Sequence, residues 1–195
     1  YRSQFVRDEE NRLERKVVMT NNTEIFTIKN VYGYGGVWQG DEYVPDTTKP
    51  LDDLWGYQIT KNGNLILGWD YDYDKEGRIK RVSDNQGNII EYTYDGIGQI
   101  IREDNSFAQE IYTYTYDLGG NIIGKSTYEY TEGLVGTPIK SVAFEYDSDW
   151  KDQLTKVGLE SIDYDGAGNP TNYLRGLSFD WENGNRLKSV KTNLL

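Results

Sequence analysis

Tyr92-Thr93-Tyr94-Asp95-Gly96-Ile97-Gly98-Gln99-Ile100 decides the fold, because it recurs. Tyr71-Asp72-Tyr73-Asp74-Lys75-Glu76-Gly77-Arg78-Ile79 precedes it, and Tyr114-Thr115-Tyr116-Asp117-Leu118-Gly119-Gly120-Asn121-Ile122 follows. The shared pattern is Tyr-x-Tyr-Asp-x-x-Gly-x-Ile, repeated about every twenty residues. Its parts have separate physical meanings. Tyr-x-Tyr puts two rings on one strand face, since side chains alternate with period two. The Asp accepts from a backbone N–H two residues on and starts a turn. The Gly supplies the positive φ that closes the turn, and the Ile begins the return strand. A second turn, such as Asp84-Asn85-Gln86-Gly87-Asn88, leads to the next strand. Each period therefore makes two strands and two turns. The predicted fold is all-β: a continuous antiparallel meander of hairpins, twisted or curved into a partial shell, with one aromatic and one polar face. Gly98→Val is expected to cost more than about 1 kcal/mol, read as a drop in melting temperature, because a β-branched side chain resists positive φ.

Weaker copies flank the three clear ones. Tyr146-Asp147 opens a turn that reads as lengthened by two residues, and Phe179-Asp180 opens another. Tyr164-Asp165-Gly166-Ala167-Gly168-Asn169-Pro170 keeps the Asp and the second Gly. Tyr57 to Leu65 keeps Gly63, with Thr60 in the Asp position. Phe5 to Leu13 keeps Asp8 and puts Asn11, a residue that tolerates positive φ, in the Gly position. The repeat-signature residues are thus Tyr71, Tyr73, Asp74, Gly77, Tyr92, Tyr94, Asp95, Gly98, Tyr114, Tyr116, Asp117, Gly120, Tyr146, Asp147, Tyr164, Asp165, Gly168, Phe179 and Asp180, all in structural roles. The chain reads as one Tyr-Asp-repeat sheet region over 1–195, with degenerate repeats in 1–30, repeats proper in 57–190 and an irregular Gly- and aromatic-rich insertion at 31–56. In the insertion, Tyr34, Trp38 and Trp55 either form platforms for a sugar ring or plug a sheet edge. Glu132 to Pro138 reads as a longer hairpin loop.

This pattern resembles the YD-repeat or RHS-repeat family, which includes bacterial wall-associated and RHS toxin-type proteins, Tc toxin shell proteins and teneurins. The resemblance is clear over 57–190 and weaker over 1–30. Asp163 to Thr171, followed by Leu177-Ser178-Phe179-Asp180-Trp181, looks like the stretch preceding the conserved RHS core of Gram-positive surface proteins. The resemblance implies a sheet that spirals into a shell around a toxin or other cargo, in a secreted or cell-wall-associated bacterial protein. It implies as partners the parent's remaining repeats and that cargo. The family's Asp-Pro-x-Gly-Leu run is absent, so no self-cleavage site is placed, and about eight units are too few for a large closed shell.

Composition narrows the chemistry. The 195 residues carry a net charge of −11, with no His and no Cys. This removes imidazole acid–base catalysis, thiol nucleophiles, disulfides and the usual zinc sites. The acidity disfavours nucleic acid as a partner, and no apolar run is long enough to span a membrane. Aromatics make up 14% of the chain, and Gly numbers 21 against 4 Pro, which suits strands joined by tight turns. With Tyr1 at the start and a lone Met19, the chain reads as a piece of something longer. Asp70, Asp72 and Asp74 alternate as if on one face, but Lys75 and Arg81 stand where a calcium loop needs Gly and Glu. No catalytic residue, metal site or cofactor is assigned. The expected function is a non-catalytic shell or stalk segment. The alternatives are a carbohydrate-binding module for cell-surface glycans and, more weakly, a glycoside hydrolase using paired carboxylates. Unpaired strands at the ends predict edge-to-edge self-association, which a purely monomeric sedimentation profile at high concentration would contradict.

Overall fold

The computed structural model describes residues 1–39 and 42–192, without the side chains of residues 34–43 and 45–52. Sixteen strands and no helix make up the described residues. They are β1 (Arg2–Arg7), β2 (Leu13–Thr20), β3 (Thr23–Gln39), β4 (Glu42–Lys61), β5 (Asn64–Tyr73), β6 (Ile79–Asp84), β7 (Ile89–Tyr94) and β8 (Ile100–Asn105), followed by β9 (Glu110–Tyr116), β10 (Ile122–Glu129), β11 (Lys140–Tyr146), β12 (Leu154–Val157), β13 (Glu160–Ser161), β14 (Asn172–Tyr173), β15 (Leu177–Glu182) and β16 (Arg186–Thr192). Strands β1 to β13 follow chain order in one meander, as the alternation of turn signals predicts, while β14 to β16 form a separate three-stranded sheet. The chain forms two compact units, Tyr1–Thr93 with Glu103–Gln109 and Tyr94–Arg102 with Glu110–Leu195.

In the first unit, pairing of Asp70 with Ser83, Tyr71 with Val82 and Asp72 with Arg81 fixes which side chains share a face. Trp69, Tyr71, Tyr73 and Tyr57 lie on one side, and Asp70, Asp72, Arg81 and Ser83 on the other. The described residues of the stretch 31–56 belong to a β3–β4 ribbon. Its register shifts at Val31/Tyr32, Tyr32/Tyr34 and Tyr34/Gly36. Residues of β4 before Gly56 pair with β3 alone, so Pro45 and Pro50 need no N–H for a second neighbour. That freedom is why the composition of a loop is compatible with paired strands.

In the second unit, Tyr112, Tyr114 and Tyr116 share a face with Lys125, whose Nζ stands 4.0 Å from the Tyr112 ring centroid and 5.5 Å from that of Tyr114. The opposite face carries Ile111, Thr113 and Thr115. The loop before β11 starts at a bond from Ile139 N–H to the Thr127 carbonyl (2.8 Å) and folds back far enough for Arg102 Nη2 to donate to the Gly133 carbonyl (3.1 Å). Between β13 and β14 the meander stops. Pro170 occupies the position where Ile begins the return strand in other units, and its bridge with Tyr164 is an isolated one, closed by Asp165 N–H to the Asn169 carbonyl (2.9 Å) and Thr171 N–H to the Asp163 carbonyl (2.7 Å). The hydrophobic core among the described residues is small: Val17 in the first unit, and Ile111 and Ile162 in the second.

Candidate functional site

The repeated turn is the best-defined chemical feature of the chain. At Asp117 the backbone N–H donates to the Asn121 carbonyl (3.0 Å), and Gly120 N–H donates back to the Asp117 carbonyl (3.2 Å). The Asp117 carboxylate fills the rest of the loop. Oδ1 accepts from Gly119 N–H (2.8 Å) and Asn121 N–H (2.9 Å), and Oδ2 accepts from Asn121 Nδ2 (3.0 Å). Asp165 repeats this with Asn169. Asp74 does so with Arg78, whose Nε reaches Oδ2 at 2.6 Å. Asp95 Oδ1 takes the N–H groups of Ile97 and Gln99 (3.0 and 2.9 Å), and Gly98 adopts φ 89°. Asp8 makes the same loop with Arg12, and Asn11 stands in the Gly position at φ 66°. Asp147 N–H bonds the Gln153 carbonyl (2.9 Å), which is the lengthened turn that the sequence predicts. Asp84, at the opposite hairpin end, has the full geometry too, with Gln86, Asn88 and the Asn88 amide as donors.

The hairpins closed at Asp8, Asp74, Asp117, Asp147 and Glu182 then each slip register once. Tyr116 pairs with Ile122 but Thr115 pairs with Gly124, so Ile123 is a bulge. Tyr73, Tyr146 and Trp181 precede equivalent slips. Near these slips the aromatic side chain reaches back to an earlier unit. Tyr116 Oη donates to the Ile100 carbonyl (2.6 Å), Tyr146 Oη to that of Ile122 (3.0 Å) and Tyr164 Oη to that of Leu154 (2.7 Å). In the first unit, Tyr32 Oη donates to Leu13 (2.9 Å) and Tyr73 Oη to Leu54 (2.5 Å). The acceptor in most of these is the return-strand residue of the preceding unit. Sequence reasoning missed these rungs because a carbonyl leaves no mark on residue identity.

This combination of turn, bulge and reaching ring runs through residues 47–182, the stretch that a known family profile, the Teneurin YD-shell, matches. The chain belongs to the teneurin YD-shell family. A search of curated protein sequences found no match. Among solved structures, the chain is similar to one in the crystal structure of TcdB2-TccC3-Cdc42, at TM-score 0.59 and 15% identity over 96% of this chain. It also matches one in a Tc holotoxin pore of Photorhabdus luminescens, at TM-score 0.45 and 14% identity over 92% of this chain. At 15% identity the first likeness is one of fold. The chain spans 11% of the length of either matched structure.

Within this YD-shell chain one signature pair moves. Phe179 and Asp180 lie in mid-strand, paired with Val190 and Ser189. The turn starts two residues later, at Trp181 and Glu182, and runs through Asn183 (φ 53°) and Gly184 (φ 89°) to Arg186, an ion-pair partner of Glu182. Trp181 takes the tyrosine's part, donating Nε1–H to the Pro170 carbonyl (2.6 Å). Aromatic-acid followed by Arg-Leu was the available signal for that placement. Thr60 does not start an Asp-type turn either; Asn62 (φ 50°) and Gly63 (φ 79°) form a two-residue turn between Lys61 and Asn64. Asp74 closes its own turn, whereas Asp70 and Asp72 stay on the strand face, so the alternating carboxylates do not act as a trio. No group of three or more acidic side chains suited to a metal ion occurs among the described residues.

Of the three sugar-platform residues, Tyr34 and Trp38 have side chains outside the described residues. Trp55 is half-buried. Its ring lies on the backbone of Gly33, where any Cβ would overlap Nε1, Cδ1 and Cε2, and its centroid is 6.4 Å from that of Tyr73. No helix among the described residues is long and apolar enough to cross a membrane.

Electrostatics follow the hydrogen bonds. At Asp117 and Asp165 the side-chain amide of the residue four on, then the loop N–H groups, hold the carboxyl below its ordinary 3.8. At Asp74 burial opposes ionisation, but the Arg78 backbone and side-chain bonds and charge outweigh it. Burial raises the phenols of Tyr73, Tyr116, Tyr146 and Tyr164 above 10.0, assisted at Tyr116 by Asp95 and at Tyr146 by Asp117. Lowered carboxyls stabilise the fold above their unfolded value, and that contribution is lost as pH falls through the folded values. Raised phenols stabilise it below about 10 and cease to as pH rises through theirs. The urea midpoint is therefore expected to be flat near neutrality and to fall on both sides. A midpoint unchanged from pH 7 to pH 3 would contradict the acid arm. Tyr116→Phe, which removes one rung, is expected to cost about 1 kcal/mol in urea unfolding.

Proposed function

We propose that the chain is a non-catalytic segment of a β-sheet shell or stalk in a larger secreted or surface-associated protein, where it helps enclose or present a toxin or other cargo. The Teneurin YD-shell match over residues 47–182 carries this reading. The rungs support it. A segment in which each unit bonds to an earlier one is built to be continued by more of the same, as in other repeat architectures. Its partners are then the remaining repeats of the parent and the cargo they surround, and its location is extracellular.

The test uses the full-length parent. Protease added from outside should spare an enclosed segment in the native protein and digest it once Tyr116, Tyr146 and Tyr164 are replaced by Ala. Equal digestion in both proteins would overturn enclosure. A glycan-array signal abolished by Trp38→Ala or Trp55→Ala would transfer the assignment to carbohydrate binding.

A further inference from the structure

The turns of the second unit form a row, and their tips are apolar. Gln99 of one turn lies against Gly120 of the next, 3.3 Å from where a Cβ would stand. Asn121 Nδ2 donates to the Lys151 carbonyl (3.2 Å), linking the second turn to the third. The Trp150 ring lies against Gly168, 3.0 Å from a Cβ position, linking the third to the fourth. Three successive members of this row point a large apolar side chain to solvent: Ile97 is 83% exposed, Leu118 fully exposed and Trp150 59% exposed. The corresponding tips in the first unit are charged and exposed: Glu9 and Glu10 after Asp8, Lys75 and Glu76 after Asp74. A single exposed apolar residue is ordinary, but three on adjoining turns, with a tryptophan among them, have the composition of a binding surface.

We propose that this row is a docking strip for an extended cationic peptide segment of a partner protein, with an apolar residue at about every third position. The charge argues for the occupant. Asp95, Asp117, Asp147, Asp149, Asp152 and Asp165 flank the tips and Lys151 is the one base among them, so a second copy is repelled and a basic segment attracted. The carboxylates of Asp117 and Asp165 are held by N–H donors of their own loops. The spacing argues for the period. Equivalent turns stand two strand spacings apart, about 10 Å, and a polyproline II segment rises about 9 Å in three residues and returns each third side chain to the same face. The inference does not depend on what the parent encloses.

The experiment measures fluorescence anisotropy of a labelled repeating Leu-Lys-Lys peptide with the 195-residue chain, beside a repeating Ser-Lys-Lys peptide of equal charge. The leucine peptide is expected to bind at least about tenfold more tightly. Ile97→Ser and Leu118→Ser, whose side chains are exposed, are expected to remove most of that preference with an unchanged circular-dichroism spectrum. Leu159→Ser, equally exposed but outside the row, should leave it intact. Lack of binding, equal affinity for the two peptides, or the same loss in Leu159→Ser would each overturn the proposal.

Discussion

Ile111→Ala is expected to lower unfolding free energy by about 2–5 kcal/mol, the cost of deleting buried methylenes and leaving a void behind. Ile111 is the only large side chain among the described residues with no exposure at all, in a chain whose buried apolar set otherwise includes Val17 and Ile162. It projects from β9 on the side opposite Tyr112, Tyr114 and Tyr116, paired across the strands with Tyr128. A thin core concentrates stability at few positions, so loss at one of them is a large share of the total. The comparison is Ile123→Ala at the neighbouring bulge, where the side chain is 40% exposed and the expected cost is below about 1 kcal/mol. Urea titrations of both variants decide the matter. Equal midpoints would mean that Ile111 is not the anchor of its unit.

Gly33→Ala is expected to cost about 1–3 kcal/mol for a different reason, overpacking. The added methyl would occupy the space of the Trp55 ring, so the indole must leave the face that it shares with Tyr73. The substitution is harmless to the backbone in itself, because Gly33 is absent from the residues of positive φ. The effect should therefore vanish when its cause is removed. In a Trp55→Ala background the same change is expected to be near neutral, giving a coupling energy of opposite sign to the single cost. Melting temperatures of the four proteins in this cycle measure it. A full cost retained without the indole would place the strain elsewhere.

The hairpin meander was legible because its parts are written as residue identities. Asp74, Asp117 and Asp165 mark turns, Gly98 and Asn11 mark positive φ, and alternating tyrosines mark a face. Three features were not legible. The 31–56 ribbon reads as a loop because Pro and Gly usually break strands, and only the absence of a second neighbour for that part of β4 makes them tolerable. The stop after β13 leaves no mark, because the copy around Pro170 keeps its Asp-type turn and both bonds that flank the Tyr164–Pro170 pair. Trp181 was hidden by a nearer match: Phe179-Asp180 resembles Tyr-Asp more closely than Trp181-Glu182 does, yet the turn chemistry belongs to the latter.

The rungs have a direction. Tyr32, Tyr73, Tyr116, Tyr146, Tyr164 and Trp181 each donate to a carbonyl that lies earlier in the chain: Leu13, Leu54, Ile100, Ile122, Leu154 and Pro170. A nascent polypeptide leaving the ribosome therefore exposes every acceptor before its donor has been synthesised. Donor and acceptor lie at most 24 residues apart, so each rung can close as soon as its own ring has emerged, and none must wait for the carboxyl terminus.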